Sequence, residues 1–449
     1  MSDTALARHA KPVPRYTSYP TAPHFHTGIG DAEYSRWLED LPDETDLSLY
    51  VHVPFCDRLC WFCGCHTKQV LRYDPIAAYL PAVHAEIEAV TRLLAGRGSV
   101  TALHLGGGSP SMLRPADLIS LARNARAVSK AAADFEFSIE IDPNDMTDDR
   151  YDAFAAAGVT RISVGVQDFN PVVQQAINRI QTFEQTRAVV DGMRQRGVES
   201  VNLDVLYGLP HQTVSSVEAT IELALSMNPD RLALFGYAHV PWMKTHQRMI
   251  EEAALPDPAE RLRQSSAAAL RIEAAGYVAV GIDHFARPTD RLAVAARAGK
   301  LRRNFQGYTT DSAPALIGFG ASSIGSLPKG YVQNITATGE YVRAIRERGL
   351  AIAKGIAFSD EDRMRGWVIE RLMCDFEISV DELRYRFGQA AGPVLTEMSF
   401  TAQDDRDGVI DFDGRTFAIT RQGRPFVRSI AAAFDTYLAT GVGRHSVAV

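Results

Sequence analysis

From Leu47 onward, short apolar-rich runs alternate with longer stretches in which apolar positions recur every three to four residues. The runs at 47–53, 100–105, 135–141, 161–167, 200–206, 231–237 and 277–283 predict strands. Between them, 75–95, 115–130, 149–157, 181–196, 213–227 and 258–275 carry helical periodicity. Repeated strand–helix alternation is the pattern of parallel βα units. Leu232-Ala-Leu-Phe235 is apolar at every position, which predicts a sheet covered on both faces. An open or partial βα barrel fits this count better than a two-layer sandwich.

The flanks read differently. Residues 1–46 hold one short helical pattern near Ala32–Leu41, preceded by a segment, Pro12–Pro23, with four prolines among tyrosines and hydroxyl residues. It reads as an ordered extended arm or a linker. From about residue 356, helical patterns at 361–374 and 380–388 precede a hairpin turning at Asp413-Gly414 and a final helix near Pro425–Leu438. The expected division is an arm (1–46), an α/β catalytic domain (47–355) and a small, mostly helical, winged-helix-like domain (356–449).

At 449 residues the chain exceeds the size at which one core stops growing, so two domains are expected. A net charge of −7 and the lack of a basic face on the C-terminal part argue against nucleic-acid binding; a lid or substrate-docking role suits that part better. No run of 18 apolar residues and no apolar leader is present, so membrane insertion is not expected and a cytoplasmic location is.

Chemistry concentrates in Tyr50-Val-His-Val-Pro-Phe-Cys-Asp-Arg-Leu-Cys-Trp-Phe-Cys-Gly-Cys65, which holds four of the five cysteines directly after the first predicted strand. Cys56, Cys60 and Cys63 have the spacing C-x3-C-x2-C, which lets one loop bring three thiolates to a metal centre. An iron–sulfur cube held wholly by protein takes four cysteines, and a structural zinc site takes four ligands; three cysteines leave one iron open to another ligand. Cys65 is one residue past Gly64, and ligation of the same cluster by both Cys63 and Cys65 would strain the loop. Zinc completed by His52 or His66 is the competing reading.

This loop resembles that of radical S-adenosylmethionine enzymes. The whole string, with Pro14-Arg-Tyr-Thr-Ser-Tyr-Pro20 and the extra Cys65, is similar to the oxygen-independent coproporphyrinogen III oxidases. The resemblance implies a partial (β/α)6 barrel and a [4Fe-4S] cluster on Cys56, Cys60 and Cys63. It also implies S-adenosylmethionine on the open iron, and one or two such molecules in all. The reaction it implies is oxidative decarboxylation of the ring A and B propionates of coproporphyrinogen III to vinyl groups. A reductant such as flavodoxin or ferredoxin and an unidentified electron acceptor would be partners, and a monomer is expected. A haem-binding or haem-transfer protein on the same fold, and a zinc-stabilised scaffold without redox chemistry, are the alternatives.

Further candidates lie at the ends of the predicted strands. In Gly106-Gly-Gly-Ser-Pro110, glycines permit close backbone approach and offer N–H groups to a carboxylate. Glu140 and Asp204 interrupt apolar strands, where an unpaired carboxylate costs several kcal/mol, and Arg179 could pair with a ligand carboxylate. Asp283-His284 reads as a strand-end pair. By resemblance, Gly107, Gly108, Ser109, Glu140, Gln167, Arg179, Asp204, Ala238, Tyr50, Phe62, Cys65 and Ile324 surround S-adenosylmethionine, and Gln306 contacts a second molecule of it. Ser109 stands where the family has threonine, and Ile180 where glutamate is commoner. Arginines near the cavity are expected to grip the substrate's propionates, without the sequence saying which.

Overall fold

The structure, a computed structural model, describes residues 6, 8–438, 441 and 445. The predicted alternation gives β1 Asp46–Val53, α1 Asp74–Leu94, β2 Ser99–Gly107, α2 Pro115–Arg126, β3 Lys130–Ile141, α3 Asp148–Ala157, β4 Arg161–Gln167, α4 Phe183–Gln195, β5 Ser200–Tyr207, α5 Val214–Ser226, β6 Arg231–Gly236 and α6 Pro258–Ala274. Six parallel strands therefore lie side by side in chain order, each returned by a helix. The helix starts are local in origin. Thr182 and Gln185 form a capping box for α4, and Asp257 caps α6 ahead of Pro258.

The sheet continues beyond both ends of this wall. β7 Val278–Val280 and β8 His284–Ala286 are added antiparallel after β6, because the run predicted as one strand over 277–283 breaks at Gly281 and turns. On the other side stand β9 Ala315–Phe319, β10 Ile324–Leu327, β11 Gly330–Asn334 and β12 Ile352–Ala357. Strand order is β12-β11-β10-β9-β1-β2-β3-β4-β5-β6-β8-β7, with two separate edges, so the barrel is open. The sequence pattern missed β9–β12, which are short and interrupted by glycine and polar residues.

The main apolar core fills the space between sheet and helices. A second core gathers Val368, Leu372, Leu383, Val394, Met398, Phe417, Phe426 and Phe434 from the C-terminal part, together with Leu6, Tyr16 and Tyr19 of the arm. Helices Asp360–Asp375 and Val380–Phe387 and the hairpin at Asp413-Gly414 fall where expected. A helix over Gly392–Asp404 and a strand over Glu377–Ser379 complete that region. The expected single helix over 425–438 is instead a 3-10 turn, a short α-helix at Val427–Ala431 and a second 3-10 turn ending at Phe434. Asp435 stops it: its carboxylate accepts from the Tyr437 N–H at 2.9 Å and from the Tyr16 hydroxyl at 3.0 Å, which holds the backbone extended.

Candidate active site

Residues two apart on a strand share a face, and on the barrel's inner face the polar ones line up across neighbouring strands. Tyr50 is in register with His104, Glu140 with Ser163, and Gly165 with Asp204. The Tyr50 ring stacks on His104 at 5.8 Å, and its hydroxyl meets Nδ1 of His52 at 2.9 Å. His104 bonds Ser138 at 2.6 Å and reaches Glu140 at 3.5 Å. Ser163 and Asn202 each donate to Asp204 at 2.8 Å. Polar side chains inside a barrel are thus hydrogen-bonded to one another, as burial demands.

Above this band opens a cavity of about 740 Å³. All but two of the predicted site residues line it: Cys56, Cys60, Phe62, Cys63, Cys65, Gly107, Gly108, Ser109, Glu140, Gln167, Arg179, Asp204, Ala238 and Gln306. Tyr50 and Ile324 do not. They are neighbours one layer away, since Tyr50 pairs with Gly318, where an added Cβ would stand 2.9 Å from the Ile324 carbonyl oxygen.

Two expectations about donors change. Gly107, at φ +113°, gives its N–H to Glu140 at 2.9 Å, and the Gly108 N–H goes to the Val53 carbonyl at 2.9 Å, so neither is spare for a ligand carboxylate. Glycine is needed at Gly108 for approach: a Cβ there would lie 2.5 Å from the Phe55 backbone. Arg179 is likewise engaged. It pairs with Asp142 at 3.0 Å, donates to the Gly165 carbonyl at 2.9 Å and to Gln181 at 3.0 Å, and approaches the Cys60 sulfur at 3.7 Å.

Burial pushes the Glu140 carboxyl up, but His104, the Gly107 N–H and His52 outweigh it and hold the group below the usual carboxylate range. Asp204 goes the other way, raised by burial and by the charge of Glu140. Gln167 sits at φ +63° with its side-chain amide at the cavity, making no hydrogen bond to the described residues.

The cysteine loop is clamped from two sides, by the segment Lys244–Gln247, which the sequence did not mark, and by residues beside Arg179. Lys244 donates to the Cys65 carbonyl at 2.9 Å, His246 bonds the Cys63 carbonyl at 2.8 Å, and the fully buried Gln247 donates to the Phe62 carbonyl at 3.0 Å. Opposite, Asn178 donates to the Leu59 carbonyl at 3.0 Å, and the Trp61 N–H to that of Ile177 at 2.9 Å. Nothing in the local sequence marks these pairings, which join residues more than a hundred positions apart.

The donors present fit an iron–sulfur cluster. Burial pushes the Cys56 thiol up to about 12 and raises Cys60, so thiolates there need a positive partner, which a cluster's iron or the Arg179 guanidinium provides. Cys63 is pulled down to about 7 by hydrogen bonds from Cys65. Among the described residues no three His, Cys, Asp or Glu side chains converge on one ion; a cube presents its irons at separate corners and asks only that its thiolates surround it.

An open parallel barrel with a three-cysteine loop at its mouth defines a radical S-adenosylmethionine protein, and residues 50–224 match the Radical SAM superfamily model. Residues 358–426 match the HemN C-terminal domain. The oxygen-independent coproporphyrinogen III oxidase of Bradyrhizobium diazoefficiens is 48% identical over 451 residues, covering 100% of both chains. That of Paracoccus denitrificans is 46% identical, covering 97% of this chain and 96% of its own. The structure of coproporphyrinogen III oxidase (HemN) from Escherichia coli superposes with a TM-score of 0.91 at 38% identity, over 97% of this chain and 99% of that one. The chain belongs to the oxygen-independent coproporphyrinogen III oxidase family.

Proposed function

We propose that this protein converts coproporphyrinogen III to protoporphyrinogen IX without oxygen. The ring A and B propionates become vinyl groups as each loses a β-hydrogen, carbon dioxide and an electron. The observation that carries the reading is one cavity walled by three loop thiols at one end and by a hydrogen-bonded polar band at the other. When bound there, a [4Fe-4S] cluster with S-adenosylmethionine supplies reductive cleavage of a sulfonium S–C bond and hence a carbon-centred radical.

The chain's part is binding, orientation and exclusion of water. Cys56, Cys60 and Cys63 would hold the cluster, with Arg179 bearing on Cys60 rather than on a ligand carboxylate. Glu140, held below the usual carboxylate range, would accept from a cationic or hydroxyl group of S-adenosylmethionine. Asp204 and the free amide of Gln167, which line the same cavity as Ala238, would take hydroxyl and polar groups of the nucleoside. Tyr50 and Ile324 support this wall from behind. Phe62 and Cys65 complete the rim of the loop, while Ser109, tied to Ser111 and Asp145, shapes the turn. Gln306 faces the space for substrate or a second cofactor molecule.

The reading includes a flavodoxin- or ferredoxin-like reductant and a separate electron acceptor, which the redox balance calls for, a reducing, cytoplasmic setting that suits an oxygen-labile cluster, and a monomer. Arm (1–46), catalytic unit (47–355) and C-terminal unit (356–449) divide the labour. No described helix is long and apolar enough to cross a membrane. The test is anaerobic. Reconstituted protein, S-adenosylmethionine, reductant, an acceptor and coproporphyrinogen III should yield carbon dioxide and the divinyl product. Tight haem uptake without turnover, or a colourless anaerobic preparation holding zinc and no iron, would overturn the reading.

A further inference from the structure

Four arginines whose side chains are no more than 10% exposed, Arg179, Arg231, Arg365 and Arg371, each meet a carboxylate at 2.5–3.0 Å. That is the ordinary condition for a buried charge. Arg15, exposed on the arm, and the half-buried Arg303 have no such carboxylate partner. Arg15 donates to the Gly236 carbonyl at 3.0 Å and Arg303 to the Arg15 carbonyl at 3.4 Å, and neither forms an ion pair among the described residues. Arg303 lies 4.4 Å over the Tyr308 ring, and its buried Nε and Nη1 find no acceptor at all.

Both arginines line the cavity that holds the cysteine loop. They reach it from separate elements, Arg15 from the extended arm and Arg303 from the hairpin Arg302–Asn304/Gly307–Thr309, which also carries Gln306. Of the carboxylates near them, Asp283 is bonded by His284 at 2.6 Å, and Glu370, which accepts from the Arg303 backbone N–H at 3.3 Å, is paired with Arg302 at 2.9 Å. Positive charge is therefore in excess at this end of the cavity.

We infer that Arg15 and Arg303 form a clamp for a propionate carboxylate of the tetrapyrrole, one that does not react in the turnover under way. The inference rests on the proposed substrate. Two guanidinium groups side by side offer the fork of donors that a carboxylate accepts bidentately. A propionate that is losing carbon dioxide gives up its charge, so a strong cationic clamp on it would stabilise the reactant over the transition state. On a spectator propionate the same clamp orients the macrocycle without that cost. Because Arg15 belongs to the arm, the arm is part of the substrate site.

The test titrates coproporphyrin III, the air-stable aromatic form, and its tetramethyl ester against cluster-reconstituted protein. Wild type should bind the free acid more tightly than the ester. Arg15→Gln and Arg303→Gln should each weaken acid binding about tenfold or more, the loss of charge-assisted hydrogen bonds, and leave ester binding unchanged; Arg15→Lys should recover part of the loss. Arg15 is an exposed arm residue, so Arg15→Gln decides the matter even if Arg303→Gln does not fold. Acid binding equal to wild type in Arg15→Gln, or no discrimination between acid and ester in wild type, overturns the clamp. Turnover of coproporphyrinogen III by wild type is measured in parallel. Failure there with the binding pattern intact overturns the proposed function alone.

Discussion

Asp142 is the residue on which the cysteine loop's cationic neighbour depends. Burial raises its carboxyl, but Arg179 and the Asn144 donors outweigh that and hold it below the ordinary range. The two side chains are 10% and 9% exposed, so Asp142→Asn strands a buried guanidinium, at a cost of about 3–5 kcal/mol. A folded-state pKa below the unfolded one, about 3.9 for aspartate, contributes stability that is whole above the unfolded value and fades as pH falls through the folded one. The gap between wild type and Asp142→Asn in denaturant midpoint should therefore be full above about pH 5 and shrink in more acid solution; a gap constant down to acid pH would refute the pairing. Cys65 makes a second residue-scale case. It donates to Cys63 and lines the rim, so Cys65→Ser should assemble iron to the wild-type level, whereas serine at Cys56, Cys60 or Cys63 should abolish it, read by iron analysis and electron paramagnetic resonance. The spacing of those cysteines was legible because one loop carries them all. Asp142 was not, because a charged residue beside a proline looks like a turn until Arg179, 37 positions on, is seen against it.

Among elements, the segment after β6 has the least conspicuous sequence for what it holds. Gln247 donates to the carbonyls of Phe62 and Ala238 and accepts from the Val240 N–H at 2.6 Å, joining the cysteine loop to the exit of the last barrel strand. Gln247→Ala leaves these buried groups without partners, each worth about 1–3 kcal/mol. Amide exchange over residues 60–65 should speed up at least tenfold relative to wild type while the exchange of β2 and β3 is unchanged. Equal rates in the loop would mean the clamp is not what orders it. The six-strand wall was readable because each of its strands is an apolar-rich run bounded by turn residues. The antiparallel wing β9–β12 was not, because pairing with β1 and with one another, rather than apolar length, makes those segments strands.

At the scale of the whole molecule, the arm is shared between two cores. Val13, Pro14 and Arg15 line the cavity, while Leu6, Tyr16 and Tyr19 are buried in the C-terminal cluster. Arg428 fastens the join, donating to the carbonyls of Pro14 at 3.1 Å and Val13 at 2.8 Å, and Tyr16 donates to the buried Asp435 carboxylate. Sequence hinted at order here through tyrosines between prolines, but which core received them depended on contacts some 400 residues apart. Removing residues 1–20 takes three large buried side chains out of a cluster much smaller than the barrel core, each worth about 2–5 kcal/mol. That cluster should then melt first. In scanning calorimetry the truncated chain should show a new low-temperature transition, accompanied by the fluorescence change of Trp367, which packs against the cluster. The barrel transition should stay near its wild-type temperature, since its core takes nothing from residues 1–20. Tyr16→Phe, which deletes only the hydroxyl donated to Asp435, should shift the Trp367 signal in the same direction by about 1–3 kcal/mol. One cooperative transition at the wild-type temperature in the truncated chain would mean that the C-terminal cluster stands without the arm, and that the arm closes over the cavity held by the cavity's own contacts alone.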